Sequence, residues 1–234
     1  MKTKLLLIVV LICNFMFAQI PTLNLRQEFR FDNSLSDQSG NFQFTNGLNA
    51  PIYEDDRFGR PSKAIRNSGD LVASIANLAQ GNSSRTISVW IKPNVVNADN
   101  IIFSYGTGSV NQVYGGSFTS TQINNITGVT TFFGASHSTV SSVWKHVVFT
   151  YDTTTSTAKI YINGTLANSG NYSLNTTGTN FYLGTLLSGV SSRYNGVFDD
   201  LLIYDRVLSD SEVSSLYNIA YAPTIGAQIS ASPS

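Results

Sequence analysis

Charged residues are scarce in this sequence, and their scarcity limits what the protein can bind. Asp, Glu, Lys and Arg make up 12% of its 234 residues, and their charges cancel. An ordinary globular domain carries roughly 25% charged residues, about twice this fraction. A polar but weakly charged surface is typical of secreted β-proteins. With no basic excess to neutralise phosphates, we expect no nucleic-acid partner.

Cysteine is almost absent as well, and its one occurrence lies in an export signal. Cys13 falls within residues 1–18, where a basic "MKTK" precedes the apolar run "LLLIVVLI" and polar residues begin at Gln19. This pattern predicts a secretory signal peptide cleaved after Ala18. The apolar run is too short for a membrane span. We therefore predict a secreted, extracellular protein whose mature chain contains no disulfide.

The sequence also lacks the paired acids and the nucleophile motifs of common hydrolases. A glycosidase needs two carboxylates that flank the scissile bond from one strand face. None of the glutamates, Glu28, Glu54 and Glu212, lies two or four residues from another acid within a strand-like run. His137 and His146 have no Cys nucleophile or Ser elbow beside them, and no cluster has zinc-ligand spacing. We predict no catalytic residue, and we interpret His146 as a hydrogen-bonded structural histidine.

Short alternating segments make up most of the remaining chain. In residues 85–93, Ile87, Val89 and Ile91 alternate with polar residues and Trp90. Such segments, with turn residues every ~8–12 positions, predict an all-β, two-sheet antiparallel β-sandwich. Periodicity alone does not distinguish an immunoglobulin-type topology from a jelly roll. Trp90 and Trp144 lie within strand patterns, which predicts that both are in the core.

Two local motifs predict a hairpin and one short C-terminal helix. Asn163-Gly164 favours a type I′ turn, which requires positive φ at both central residues. Ser209 and Glu212 have the spacing of a capping box at the start of a helix. We predict a lead-in over 19–24, one domain over 25–218, and a linker or flexible tail over 219–234.

The strings "RTISVWIKP", "VWKHVVFTYDTTTSTAKIYINGTLANSG" and "GVFDDLLIYDRVLSDSEVSSLY" follow one another in that order. With "LRQEFRFDNSLSDQSGN" before them, they resemble the concanavalin A-like lectin/glucanase superfamily, and in it the laminin-G-like jelly-roll domains of secreted bacterial proteins. The resemblance covers roughly residues 25–218, and the family's Gly after "FD" is Asn33 here. It implies a jelly-roll fold, which by itself does not settle function.

The adjacent acids Asp199 and Asp200 interrupt the last apolar strand pattern. Neighbours in a strand point to opposite faces. We therefore predict that Asp199 shares the core face with Leu201 and Ile203. Asp200 is then a solvated residue or a partner for Arg206, and the two acids cannot flank one bond.

The resemblance to the superfamily further implies one structural Ca²⁺ at Asp199. Its other ligands would be backbone carbonyls, from near Glu28 and from "RNSGD", at Gly69. Ligation by oxygen alone suits Ca²⁺. The alternative is that Asp199 accepts backbone amide hydrogen bonds without a metal, since a buried acid must be satisfied in one of these ways.

Carbohydrate binding requires exposed aromatic rings for stacking and short polar side chains for the hydroxyls. The leading hypothesis is a secreted, non-catalytic recognition module that binds a glycan or cell-surface ligand through strand-end loops. The alternatives are a polysaccharide-active hydrolase and a protein-binding adhesion or scaffold domain. The predicted ligand-binding residues are Tyr105, Asn111, Tyr114, Phe118, Tyr172, Arg193 and Tyr194.

Overall fold

A computed structural model of the chain describes residues 19–47, 49–67, 71–96, 100–127, 132–187 and 193–219. The predicted signal peptide and residues 220–234 of the predicted tail lie outside these ranges. Within the described ranges, no helix is long and apolar enough to cross a membrane.

The described residues form β-strands and one C-terminal α-helix. In chain order, these elements are β1 (Leu25–Phe29), β2 (Thr45–Asn46), β3 (Ile52–Glu54), β4 (Ala64–Arg66), β5 (Leu71–Ser74), β6 (Arg85–Pro93), β7 (Asn100–Gly106), β8 (Val113–Phe118), β9 (Gln122–Ile126), β10 (Phe132–Ser136), β11 (Lys145–Asp152), β12 (Thr157–Ile162), β13 (Thr165–Asn171), β14 (Asn180–Leu183), β15 (Gly196–Tyr204) and α1 (Asp210–Tyr217).

The strands form two antiparallel sheets. The first has the order β13-β12-β11-β6-β15-β4-β3, with β1 also paired to β15, and the second has the order β10-β9-β8-β7-β14-β5-β2. Most neighbours in the sheets are distant in sequence, so the chain crosses repeatedly between the sheets. This arrangement confirms the predicted jelly-roll β-sandwich with a short C-terminal helix.

The core lies between the inner faces of the two sheets. Ile87, Val89 and Ile91 point into it from β6, as their alternation predicts. Aromatic side chains fill much of the core, and the rings of Phe103 and Phe181 stack with centroids 5.6 Å apart. Since alternate β6 side chains point inward, Trp90 faces the outer side of the first sheet.

The helix α1 packs on that outer side, as its sequence motif predicts. Ser209 accepts a hydrogen bond from the Glu212 amide while the Glu212 carboxylate accepts one from the Ser209 amide, which confirms the capping box. Val213 and Leu216 pack against apolar side chains of the first sheet, among them Leu202. This packing places Tyr217 above Trp90, with ring centroids 5.6 Å apart.

The Asn163-Gly164 turn joins β12 to β13 and supports the helix end. Both residues have positive φ, 50° and 79°, which confirms the hairpin prediction. A Cβ added to Gly164 would lie 2.9 Å from the Cβ of Tyr217, closer than such atoms normally approach. The turn therefore needs glycine both for its conformation and for the space that Tyr217 occupies.

The two tryptophans do not share one environment. Trp90 is 8% exposed, so its predicted burial is confirmed. Trp144 is only half-buried, which contradicts its assignment to the core. It directly precedes β11, on the outer side of the first sheet, and the Lys92 ammonium lies 5.1 Å from its ring centroid.

Candidate functional site

A β-bulge on β15 brings Asp199 and Asp200 to the same face. Asp199 is opposite Trp90 of β6, whereas the next paired residue, Leu202, is opposite Ser88, so β15 contains one extra residue here. Asp200 adopts a φ of 44°, a left-handed conformation that a bulge can impose. The prediction that the acids point to opposite faces is wrong, because it assumed an uninterrupted strand.

The neighbours of the two acids confirm the geometry. Phe198 and Leu201 both lie in the inner core, so the bulge leaves the two acids between them on the outer side. The alternation had predicted that Asp199 shares a face with Leu201, and this prediction is wrong.

Arg57 is the common partner of the two carboxylates. Its Nη1 lies 2.9 Å from Oδ2 of Asp199 and 2.5 Å from Oδ2 of Asp200. All three side chains are nearly inaccessible, with exposed fractions of 6% for Arg57, 3% for Asp199 and 11% for Asp200. Burial, together with the neighbouring Asp200 carboxylate, raises the pKa of Asp199 to about 9.

The prediction that Asp200 is a solvated residue or a partner for Arg206 is therefore wrong. The bulge turns its carboxylate toward Arg57 and away from solvent. Arg206 instead forms an ion pair with Glu212 of the helix, with Nη2 and Oε1 2.6 Å apart.

The Arg57 guanidinium connects the bulge to a stack of aromatic rings. Its Cζ lies 4.5 Å from the ring centroid of Phe58 and 4.5 Å from that of Trp90. Trp90 in turn stacks on Tyr217 at an interplanar angle of 17° and packs against His146. Cation–π contacts of this kind attract the guanidinium to the ring faces by roughly 0.5–2 kcal/mol each.

His146 lies beneath these rings as a neutral, hydrogen-bonded side chain. Its Nε2 is 2.8 Å from the Ser88 hydroxyl oxygen, and the side chain is buried. Burial, together with the positive charge of Arg57, lowers the pKa of His146 to about 3. The interpretation of His146 as a structural histidine is confirmed.

An open groove of about 360 Å³ lies above this platform. Phe58 is 46% exposed and Tyr217 is 37% exposed, while Trp144 is half-buried. The volume is within the range of small-ligand sites, roughly 300–1,000 Å³. We define the aromatic groove as the pocket lined by Arg57, Phe58, Trp90, Trp144, Tyr217, Asn218 and Ile219.

The aromatic groove is built from segments that are distant in the sequence. The turn between β3 and β4 supplies Arg57 and Phe58, β6 supplies Trp90, the residue before β11 is Trp144, and α1 ends at Tyr217. The sequence prediction missed this site. The available signal was an aromatic residue, Phe58, inside the polar turn "YEDDRFGR".

Four of the predicted ligand-binding residues lie in the core, which contradicts their assignment as exposed stacking residues. Tyr105, Tyr114, Phe118 and Tyr194 are 1%, 0%, 0% and 2% exposed. They belong to the cluster between the sheets, where other aromatic rings cover them. None of these four rings can stack on a ligand in solution.

The other three predicted residues are accessible to different degrees but do not converge. Tyr172 is half-buried, and its hydroxyl donates to Oδ1 of Asn125 at 2.7 Å. Arg193 is exposed next to Ile101, at the start of β7. Asn111 lies in the turn beyond the end of β7, so roughly 17 Å of strand separates it from Arg193.

The carboxyl group of Asp199, the predicted calcium ligand, faces a cation, which disfavours a bound Ca²⁺ there. Asp199 contacts the Arg57 guanidinium. The Glu28 side chain pairs with Arg30, its Oε1 lying 2.5 Å from Nε, and this contact does not test the backbone carbonyls predicted as ligands near Glu28. The part of the chain that the structure describes contains no group of three His, Cys, Asp or Glu side chains able to hold a metal ion. Gly69, the remaining predicted ligand, lies outside the described residues, and its part of the hypothesis stays a prediction.

Comparisons with known proteins agree with this architecture. A Laminin_G_3 family model, of the concanavalin A-like lectin/glucanases superfamily, matches residues 67–214. A search of curated proteins gives no significant match. Domain 4 of AbnA, an extracellular GH43 arabinanase from Geobacillus stearothermophilus, has been solved in complex with arabinotriose. It superposes with a TM-score of 0.64 and 25% identity, over 83% of this chain and 98% of that one.

Botulinum neurotoxin binding domains share the fold at lower identity. The serotype G domain has a TM-score of 0.64 and 18% identity, over 83% of this chain and 50% of that one. The serotype D domain, in complex with N-acetylneuraminic acid, has a TM-score of 0.63 and 18% identity with the same coverages. The chain thus spans half the length of these toxin domains, and the likeness concerns the fold alone.

Proposed function

Because the chain belongs to the concanavalin A-like lectin/glucanase superfamily, we propose that it is a secreted carbohydrate-recognition module that binds a glycan in the aromatic groove. The observation that carries the proposal is the exposure of Phe58, Trp144 and Tyr217 around one open pocket on a fixed platform. Sugar rings have apolar faces that stack on aromatic side chains. The arabinotriose complex of AbnA domain 4 supports the same class of ligand. The signal-peptide pattern of residues 1–18 supports export.

The arrangement of acids favours binding without turnover. Hydrolysis of a glycosidic bond requires two carboxylates placed on either side of it. Asp199 and Asp200 instead both contact one nitrogen of Arg57, and both are buried. Glu212 is engaged by the helix cap and by Arg206. We therefore propose a non-catalytic module.

Binding and product assays on residues 19–234 test this function. The protein is titrated calorimetrically with arabinotriose and screened on immobilised polysaccharides, while released reducing sugar is measured. We expect saturable binding to at least one glycan without product. Release of product would establish the hydrolase alternative, and the absence of glycan binding would favour the protein-binding alternative.

Removing one ring of the aromatic groove tests whether the glycan binds there. Trp144→Ala removes a half-buried ring that is not part of the core, so we expect the fold to persist and affinity to fall about tenfold, the equivalent of ~1.4 kcal/mol. Val110→Ala is the control, because Val110 is 71% exposed and lies in the turn after β7. Equal affinities of the two variants would place the binding site elsewhere.

A further inference from the structure

The charged groups at the floor of the aromatic groove already compensate one another. Arg57 is the cation that lines the groove, and its Nη1 contacts the carboxylates of both Asp199 and Asp200. With two acids facing one guanidinium, this cluster has no positive excess. An anionic ligand would have to compete for Arg57 with two buried acids, Asp199 and Asp200, that are held in place by the bulge.

The cation that lies over the half-buried Trp144 ring also faces an acid. The Lys92 ammonium lies 5.1 Å from the Trp144 ring centroid and 3.7 Å from Oε2 of Glu54. Glu54 also forms an ion pair with Arg66, so its carboxylate joins two cations at this rim. Its side chain is 21% exposed and therefore remains partly in contact with solvent.

The balance extends to the turn that supplies Phe58. Arg60 lies over the Phe58 ring, with its Cζ 5.3 Å from the centroid, and its Nε is 2.6 Å from Oδ2 of Asp56. Asp56 is itself fully buried and also accepts the amides of Phe58 and Arg60. Each of these cations therefore faces at least one acid: Arg57 faces Asp199 and Asp200, Arg60 faces Asp56, and Arg66 and Lys92 share Glu54.

We propose that the aromatic groove selects uncharged saccharides and discriminates against acidic ones, with Glu54 at the rim and Asp199 and Asp200 at the floor as the specificity-determining residues. This inference rests on the proposed glycan-binding function. The stacking surfaces of Phe58, Trp144 and Tyr217 require no charge on the ligand.

The energetic reason lies in what an acidic sugar would have to displace. Recruiting Arg57 to a ligand carboxylate would leave a buried Asp without its partner, and breaking such a pair costs about 3–5 kcal/mol. A ligand carboxylate placed near Lys92 would instead approach Glu54, and like charges in an interface are a common means of rejecting the wrong ligand. A neutral sugar meets neither cost.

An array of neutral and acidic oligosaccharides, including arabinotriose and N-acetylneuraminic acid glycans, tests the selectivity. We expect the bound glycans to be neutral, with an affinity that changes less than about twofold between 0.05 M and 0.5 M NaCl, because charge screening does not weaken stacking. Acidic glycans that bind as tightly as neutral ones would overturn the inference and leave the proposed function intact. No binding to any glycan would overturn the proposed function, and with it this inference.

Glu54→Gln tests the role of the rim directly. Glutamine keeps the size of the side chain but removes the charge that compensates Lys92, so we expect the affinity for acidic glycans, relative to neutral ones, to rise at least about threefold. Glu28→Gln is the matched control, since Glu28 pairs with Arg30, whereas Glu54 pairs with Lys92, whose ammonium lies over the Trp144 ring of the groove. A parallel loss of neutral and acidic binding in Glu54→Gln would indicate a structural role alone and would contradict the assignment.

Discussion

Acidification is expected to destabilise the protein through His146, and the size of the effect can be calculated. His146 is buried under Trp90, and its Nε2 is hydrogen-bonded to the Ser88 hydroxyl. Burial lowers the pKa of His146 to about 3. In the unfolded chain a histidine has its ordinary pKa of about 6.5. Between these two values the unfolded state binds more protons than the folded state, so stability falls as the pH is lowered.

The loss from this one side chain follows from the linkage relation. Between pH 7 and pH 5 the unfolded histidine becomes almost fully protonated, while the folded one stays neutral. The free energy of unfolding therefore falls by about 2 kcal/mol over this interval, and it continues to fall by about 1.4 kcal/mol per pH unit until the folded pKa is approached.

Urea unfolding at pH 7 and pH 5, followed by tryptophan fluorescence, measures this loss. The comparison is with His146→Asn, which removes the titrating ring but keeps a hydrogen-bonding group next to Ser88. Other groups titrate alike in both proteins and cancel in the difference. We expect the variant to lose about 2 kcal/mol less than the wild type between the two pH values. Equal losses would show that His146 takes up a proton in the folded protein, and the reasoning from burial would be wrong.

Three further substitutions test the supports of the aromatic groove. Arg57→Met leaves the buried acids Asp199 and Asp200 without their cation, so we expect urea unfolding to show a loss of about 3–5 kcal/mol, and a loss below about 1 kcal/mol would contradict the buried pairing. Gly164→Ala places a Cβ against Tyr217 at a position with positive φ. We expect a lower melting temperature and weaker glycan binding, and unchanged binding would show that the turn does not support the binding site. Ser209→Ala removes the cap that Glu212 completes, which should cost about 1 kcal/mol in urea unfolding and leave glycan binding unchanged; weaker binding would mean that the cap positions the groove.

The features predicted correctly depend on residues close together in the chain. Alternation indicated the strands, because successive side chains of a strand point to opposite faces. The Asn163-Gly164 turn and the Ser209–Glu212 cap are satisfied within a few residues, so their spacing was sufficient to identify them. The same locality explains why His146 was recognised as structural from its position within an apolar strand.

The predictions that proved wrong concern residues whose position is set by strand pairing across the sheet and not by the local sequence pattern. Nothing in "GVFDDLLIY" indicates that β15 carries an extra residue opposite β6, so the faces of Asp199 and Asp200 were assigned by simple alternation. Tyr105 and Tyr114 lie beside polar and glycine-rich segments that suggested loops, yet both rings are buried between the sheets.

The class of fold, the helix with its cap and the tight hairpin can all be predicted from the sequence, because each follows from periodicity or from contacts over a few residues. The candidate site, in contrast, forms only when distant strands pair in the folded protein. Phe58, Trp144 and Tyr217 are more than seventy positions apart along the chain and meet because β4, β15, β6 and β11 are neighbours in one sheet. The pairing of Arg57 with two acids likewise depends on a bulge that exists only once β15 is aligned on β6. The register between distant strands determines both the grouping of the three rings and the pairing of Arg57. No local sequence pattern specifies that register.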